Sequence, residues 1–148
     1  MKASVTTLLA EKAHNIYSIN ASASVLDAVN EMNHRGVGSI IVLDEGKLVG
    51  IFTERDVLRR VVVPALPADS TLVSEVMTKD VDTFAPNLSV EEAMAHMNKE
   101  RHRNVPVVDG ERILGLVSIG DITRWLSKNF ENEAQNLLSY FTGTYPEN

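Results

Sequence analysis

Two stretches of this sequence set a hydroxyl side chain three residues ahead of a carboxylate: Thr53-Glu54-Arg55-Asp56 and Ser118-Ile119-Gly120-Asp121. Each follows a run of β-forming residues and precedes an apolar helical pattern, so each lies where a strand turns into a helix. Two chemistries suit that arrangement. A Ser or Thr N-cap with an acid at the third helical position satisfies free backbone N–H groups and needs no ligand. The same carboxylate can accept paired hydrogen bonds from a vicinal diol, while the helix start offers N–H groups and positive dipole to a phosphate. Arg55 adds a candidate charge-assisted bond at the first motif. The second motif has Ile119 and Gly120 where the first has Glu54 and Arg55. Fewer groups there meet a phosphate, so the first is expected to be the stronger site.

Other chemistries find little support. The chain has no cysteine, which removes thiol nucleophiles, disulfides and thiolate metal sites. His14, His34, His96 and His102 are spread out with no metal-ligand spacing on one helix face, so no metal is expected. There is no nucleophile elbow, Walker loop or dinucleotide glycine fingerprint, and Gly36-Val37-Gly38 is too short for one. A formal charge of −6 argues against a general nucleic-acid binder, which needs a dense cationic face. Arg101-His102-Arg103 is a local basic cluster in an acidic protein, and Arg101 reads as a solvated loop residue. No apolar run approaches membrane-spanning length and none follows Met1 as a signal peptide would, so a cytoplasmic protein is expected.

The elements that must position the two motifs occur twice. Gly50-Ile-Phe-Thr53-Glu-Arg-Asp56 and Gly115-Leu-Val-Ser118-Ile-Gly-Asp121 lie 65 residues apart, and the same shift aligns much of the chain without a gap. Val25, Ala28, Met32 and Asn33 meet Val90, Ala93, Met97 and Asn98, while Val42 and Asp44 meet Val107 and Asp109. Ser24 and Ser89 read as N-caps with an acid three residues on. Val25, Ala28, Val29 and Met32, like Val90, Ala93, Met94 and Met97, mark one helical face. Two β-rich runs follow in each copy, 39–43 with 48–52 and 105–108 with 113–117, joined by glycine-bearing turns. A second helix closes each copy, and a short strand opens it, at 16–19 and 81–84. The fold class is therefore α/β (α+β): two β-α-β-β-α repeats, residues 5–63 and 71–130, packed sheet to sheet with pseudo-two-fold symmetry. The proline-bearing linker is 64–70, and a C-terminal extension fills 131–148. A unit this small buries too little surface alone, so the two should form one body.

This pattern resembles the CBS (cystathionine-β-synthase) domain pair, whose hallmark is a Gly-hydrophobic-x-Ser/Thr-x-x-Asp stretch where the third strand enters the last helix. The resemblance runs from about Val5 to Leu126, with no catalytic domain attached, as in stand-alone bacterial members. It implies a regulatory sensor rather than an enzyme, binding an adenine nucleotide (AMP, ADP, ATP or NAD) or S-adenosylmethionine between the repeats, with no metal required. It also implies residue roles: Asp holds ribose hydroxyls, Ser or Thr helps with ribose or phosphate, and adenine rests on the opposite repeat. Thr53, Arg55 and Asp56 would then share a pocket with Val81, Thr83, Arg103, Asn104, Val105 and Pro106. Ser118 and Asp121 would share one with Ile16, Ser18, Gly38, Ser39 and Ile40.

Competing readings are a nucleotide hydrolase, for which Glu54 is the one acid available as a base, and a dimerisation module that binds nothing. The resemblance implies a homodimer acting on an unidentified protein. The apolar residues Val57, Leu58, Val61 and Val62, with Trp125, Leu126 and Phe130, supply a candidate interface. Leu137, Leu138, Tyr140 and Phe141 in the extension are expected to pack on the pair or across the dimer, with order ending near Gly143 and Pro146.

Overall fold

In the computed structural model the described residues are 3–12 and 16–142, with the side chains of 133 and 135–142 outside the described set. The first repeat contains β1 (Ser18–Asn20), α2 (Val25–Arg35), β2 (Ser39–Asp44) and β3 (Lys47–Thr53). It ends in α3 (Glu54–Asp56), which runs directly into a wider π-helical segment, Val57–Val62. The second contains α5 (Val90–Glu100), β4 (Asn104–Asp109), β5 (Arg112–Ser118) and α6 (Ile119–Thr142). Within the bounds 5–63 and 71–130 a short helix stands ahead of each β-α-β-β-α unit: α1 (Val5–Glu11) ahead of the first and α4 (Val73–Val76) ahead of the second.

Local sequence explains most of these elements. Ser24 and Ser89 cap α2 and α5, each side-chain oxygen accepting the backbone N–H three residues on at 3.1 Å. Each such cap contributes about 1 kcal/mol. Gly36 ends α2 in the left-handed conformation, and Arg101 ends α5 in the same conformation at the matching position. The hairpins β2–β3 and β4–β5 are antiparallel, with equivalent register shifts at Val42/Leu43 and Val107/Val108.

The opening strands differ between the copies. β1 pairs in parallel with β2, but the second copy's expected strand at 81–84 reduces to a single bridge, Phe84 to Val107. The cause is Pro106. In the first copy Ile41 donates its N–H to the Tyr17 carbonyl. Pro106 stands at the corresponding place and has no N–H, so that rung of the ladder cannot form. The first opening strand is also shifted, starting at Ser18 rather than Ile16.

The helices that precede the repeats are exchanged. Val5, Leu8 and Leu9 of α1 are buried in the second repeat's core with Phe84, Val90, Ala93, Met97, Val105, Val107, Val117 and Ile122. Val73, Val76 and Met77 are buried in the first repeat's core with Val25, Ala28, Met32, Ile40, Val42, Phe52 and Val61. Matched backbone pairs anchor both crossings. Val5 N–H donates to Leu88 O and Val90 N–H to Ala3 O; Val73 N–H donates to Ala23 O and Val25 N–H to Thr71 O. The segment 64–70 is itself folded back, with Leu26 N–H donating to Ala68 O.

The two glycines that first revealed the repeat sit beneath these crossings. A side chain at Gly50 would meet the Met77 sulfur at 2.6 Å and the Thr78 carbonyl at 2.8 Å. One at Gly115 would meet the Leu9 side chain at 2.8 Å. α6 continues unbroken through the expected boundary at residue 130 to Thr142, so the extension begins as helix. The side chains of Leu137, Leu138, Tyr140 and Phe141, and the residues Gly143 and Pro146, lie outside the described set. Among the described residues no helix is long and apolar enough to cross a membrane.

The two glycines predict different sensitivities. Gly50→Ala drives a methyl into backbone, whereas Gly115→Ala meets a rotatable leucine end. Gly50→Ala should lower stability by ~1–3 kcal/mol and Gly115→Ala by less. Urea denaturation of both variants checks the order, and equal losses would refute it.

Candidate functional site

The exchange leaves two clefts between the repeats, one beside each Ser/Thr-x-x-Asp motif. Strand alternation decides what faces them. In β2, Ile40 and Val42 are buried in the first repeat's own core, while Ser39 and Ile41 line the second cleft. Ser39 borders the first cleft as well.

The first cleft, of about 430 Å³, is lined from one side by Thr53, Glu54, Arg55, Asp56, Arg59 and Arg60. Thr78, Asp80, Val81, Asp82 and residues 101–104 line it from the other. Asp56 is buried at the third position of α3, and both halves of a capping box are made. Thr53 Oγ1 accepts the Asp56 N–H and Asp56 Oδ2 accepts the Thr53 N–H, each at 3.1 Å. Thr78 Oγ1 shares its hydrogen between the two carboxylate oxygens at 3.2 and 3.3 Å. Arg60 lies 3.6 Å from Oδ1 and donates to the Met77 carbonyl at 2.8 Å. So the motif is a helix cap and a cleft residue at once. An ionised carboxylate has about four acceptor positions, and these partners leave Oδ1 bound only by long contacts.

Of the residues expected here, Thr53, Arg55, Asp56, Val81, Arg103 and Asn104 meet at this cleft. Thr83, Val105 and Pro106 do not line it. Thr83 is exposed, and Val105 is turned by strand alternation into the second core. Pro106 is buried within β4. Arg101, read as a solvated loop residue, lies on the cleft wall instead. Arg59, Arg60, Thr78, Asp80 and Asp82 were missed. The adjacent arginines three and four residues after Asp56 are the available signal; at 78–82 only Val81 is marked, through the resemblance, and nothing points to Thr78, Asp80 or Asp82. Five arginines thus gather at one cleft of an acidic protein, alongside the acids Glu54, Asp56, Asp80 and Asp82.

The second cleft, of about 350 Å³, is lined by Ile16, Tyr17, Gly38, Ser39, Ser118 and Lys12, among others. Ser18 is exposed and Ile40 is buried in the first core, so neither lines it. Asp121 is also absent from its wall and lines a smaller groove that Lys12 borders too. Its cap is made as in the first copy, with Ser118 N–H donating to Oδ2 at 2.9 Å and Asp121 N–H to Ser118 Oγ at 3.1 Å. Lys12 Nζ then donates to Oδ2 at 2.8 Å and to the Leu116 carbonyl at 3.1 Å, and Arg124 donates to Oδ1. Burial pushes the Asp121 carboxyl up, but the Lys12 and Ser118 hydrogen bonds and the Lys12 charge outweigh it, holding the group below its ordinary range. Two cations of the chain itself already occupy this carboxylate.

The expectation that the histidines stay apart does not hold. His96 Nε2 and His102 Nδ1 both lie against Asp82 Oδ2, at 3.0 and 2.8 Å. They share no helix face, because α5 ends between them, and the contact arises from chain reversal at Arg101. The His96 hydrogen bond is the main cause holding the Asp82 carboxyl low; burial opposes it, and the charges of the two imidazoles add to it.

With this geometry, comparison with known proteins identifies the fold's lineage. The CBS domain family model matches residues 12–63 and again 73–128. This chain belongs to the CBS domain family. A mitochondrial CBS domain-containing protein of Arabidopsis thaliana, CBSX3, is 37% identical over 127 residues, covering 82% of this chain and 62% of that protein. The chain therefore spans less than two thirds of that relative's length. A solved protein with CBS domains from Burkholderia ambifaria MC40-6 is 36% identical, with a TM-score of 0.81 over 84% of this chain and 93% of that one. A hexameric CBS-CP12 protein from bloom-forming cyanobacteria is 30% identical, with a TM-score of 0.75 over 83% of this chain and 67% of that one. Both CBS repeats are matched, and the exchanged helix α1 lies before the first match.

The Lys12–Asp121 pair has a pH signature. A carboxylate held below its ordinary value contributes stability above the unfolded value of about 3.9, and loses it as the pH falls through the lower folded value. Lys12→Met should therefore cost no more than about 1 kcal/mol at pH 7, since the ammonium is partly exposed. The difference from the parent should vanish in strong acid. Denaturation at pH 7 and pH 2.5 tests this, and a pH-independent difference would show that only packing was lost.

Proposed function

We propose that this CBS pair is a regulatory module, not an enzyme, that binds an adenine nucleotide in the first cleft. The observation that carries the reading is the gathering of five arginines around the cleft that Thr53 and Asp56 line, Arg55, Arg59 and Arg60 beside them and Arg101 and Arg103 across from them. A carboxylate at a helix start suits the ribose diol, and guanidinium groups suit phosphates. The family's place among regulatory, ligand-binding modules supports the same reading. AMP, ADP, ATP and NAD carry phosphates for these arginines to meet, and S-adenosylmethionine carries none. The second cleft is the weaker site on this reading, because Lys12 and Arg124 compete for Asp121. Regulation further requires that the nucleotide bind two arrangements of the pair unequally. A reducing, cytoplasmic setting fits a chain without cysteine.

A thermal-shift series with AMP, ADP, ATP, NAD and S-adenosylmethionine tests this directly. A ligand at about 100 times its Kd adds roughly 2.7 kcal/mol to stability. Phosphate-bearing ligands should raise the melting temperature more than S-adenosylmethionine. No shift with any of them at millimolar concentration would refute the reading. Asp56→Asn, which retains a capping oxygen, should weaken binding about tenfold to a hundredfold, and Asp121→Asn should weaken it less. Calorimetric titration gives both values, and a larger loss at Asp121 would reverse the ranking of the clefts.

We also propose that two chains pair through the exposed apolar side chains Leu58, Val62 and Val63 of the first repeat and Phe130 of α6, each more than half exposed. Val61, expected in that interface, is instead buried in the first core; Val57, Trp125 and Leu126 are partly buried against the cores. The remaining exposed side chains are the ones available to a second copy. Leu58→Glu with Val62→Glu should halve the mass seen by sedimentation equilibrium. A monomeric parent chain at micromolar concentration would dismiss the dimer.

A further inference from the structure

Three metal-capable side chains converge at the edge of the first cleft from separate parts of the chain. Asp82 comes from the opening segment of the second repeat, His96 from within α5, and His102 from the turn after it. Their donor atoms all lie within 4.8 Å of one another. Both imidazoles address the same carboxylate oxygen, Oδ2, at 3.0 and 2.8 Å, rather than taking one oxygen each. Around a tetrahedral ion with bonds of ~2.0–2.1 Å, neighbouring donors stand about 3.3 Å apart. The two measured separations need to open by only a few tenths of an ångström. The His96 ring packs against buried Phe84 in a T-shaped contact, with centroids 5.6 Å apart, which restrains one ligand. All three side chains are partly exposed, which leaves an entry path.

We propose that Asp82, His96 and His102 bind one divalent transition-metal ion of the zinc class per chain. Two imidazole nitrogens and one carboxylate oxygen match zinc and its neighbours, whereas magnesium and calcium favour all-oxygen shells. With neutral imidazoles the three groups carry a single negative charge, which a dication offsets. Three protein ligands leave a fourth position for water. Asp82 and His102 also line the first cleft, so the ion joins that cleft's wall to α5. The site stands whether or not a nucleotide binds beside it.

The test uses the full chain without an affinity tag, freed of metal with a chelator and dialysed. ZnCl2 is titrated calorimetrically and CoCl2 is followed by its visible spectrum. One ion per chain is expected, with a tetrahedral cobalt spectrum. His102→Gln and Asp82→Asn should each weaken zinc binding at least about tenfold. His34→Ala, an exposed residue of α2 outside the cluster, should leave it unchanged. Circular dichroism melting verifies that the variants fold, which matters most for His96→Ala because of its contact with Phe84. Equal zinc affinity in the parent chain and in His102→Gln would overturn the proposal. So would the absence of any heat or cobalt spectrum at metal concentrations up to about 100 µM.

Discussion

Each repeat of this protein is closed by a segment that precedes the other. α1 covers β5 at Gly115, and the Met77–Thr78 segment covers β3 at Gly50. The reason is burial. A hairpin with two helices leaves apolar surface on a unit of this size, and the chain covers it by crossing over. Neither core is complete without residues from beyond its own β-α-β-β-α unit, so the pair is one cooperative body. The clefts lie where the two units meet, and their shape follows from the crossings.

The same crossings make the two motifs unequal. Each covering segment carries a polar side chain to the adjacent carboxylate. In the first repeat this is the Thr78 hydroxyl, a neutral donor at 3.2 Å or more. In the second it is the Lys12 ammonium at 2.8 Å, joined by Arg124. A neutral, stretched contact yields to a diol far more readily than a charge-assisted one does. Similarly capped carboxylates are therefore differentiated in part by one residue at the end of each crossing, Thr78 or Lys12. The arginines sharpen the contrast, because Arg55, Arg59, Arg60, Arg101 and Arg103 all serve the first cleft.

Pro106 introduces a second asymmetry. By deleting one rung of the parallel ladder it leaves the segment at 81–84 joined to β4 by a single bridge. Asp82 lies in that segment, at the place Tyr17 holds in the first copy, and it meets His96 and His102 rather than extending a strand. A local loss of backbone pairing thus coincides with a new side-chain cluster.

The amino-acid sequence by itself determined the repeat, its gapless 65-residue register, the caps at Ser24 and Ser89 and the hairpins. It also placed Thr53 with Asp56 and Ser118 with Asp121 at helix starts. All of these depend on contacts within a few residues, where periodicity and capping chemistry act directly. The missing opening strand was legible too, in Pro106, for a reader who asked which N–H the ladder required. Tertiary structure alone decided the rest. Lys12 meets Asp121 across 109 positions, and Thr78 meets Asp56 across 22. The histidines converge because the chain reverses between them. Periodicity says which side of an element is apolar, but not which distant element arrives there. Val105 and Ile40 were assigned to clefts although alternation turns both into cores, and Arg101 to solvent although the opposite repeat faces it. Those outcomes depend on the exchange of covering helices, an arrangement set by the burial of both cores together and not by any local pattern.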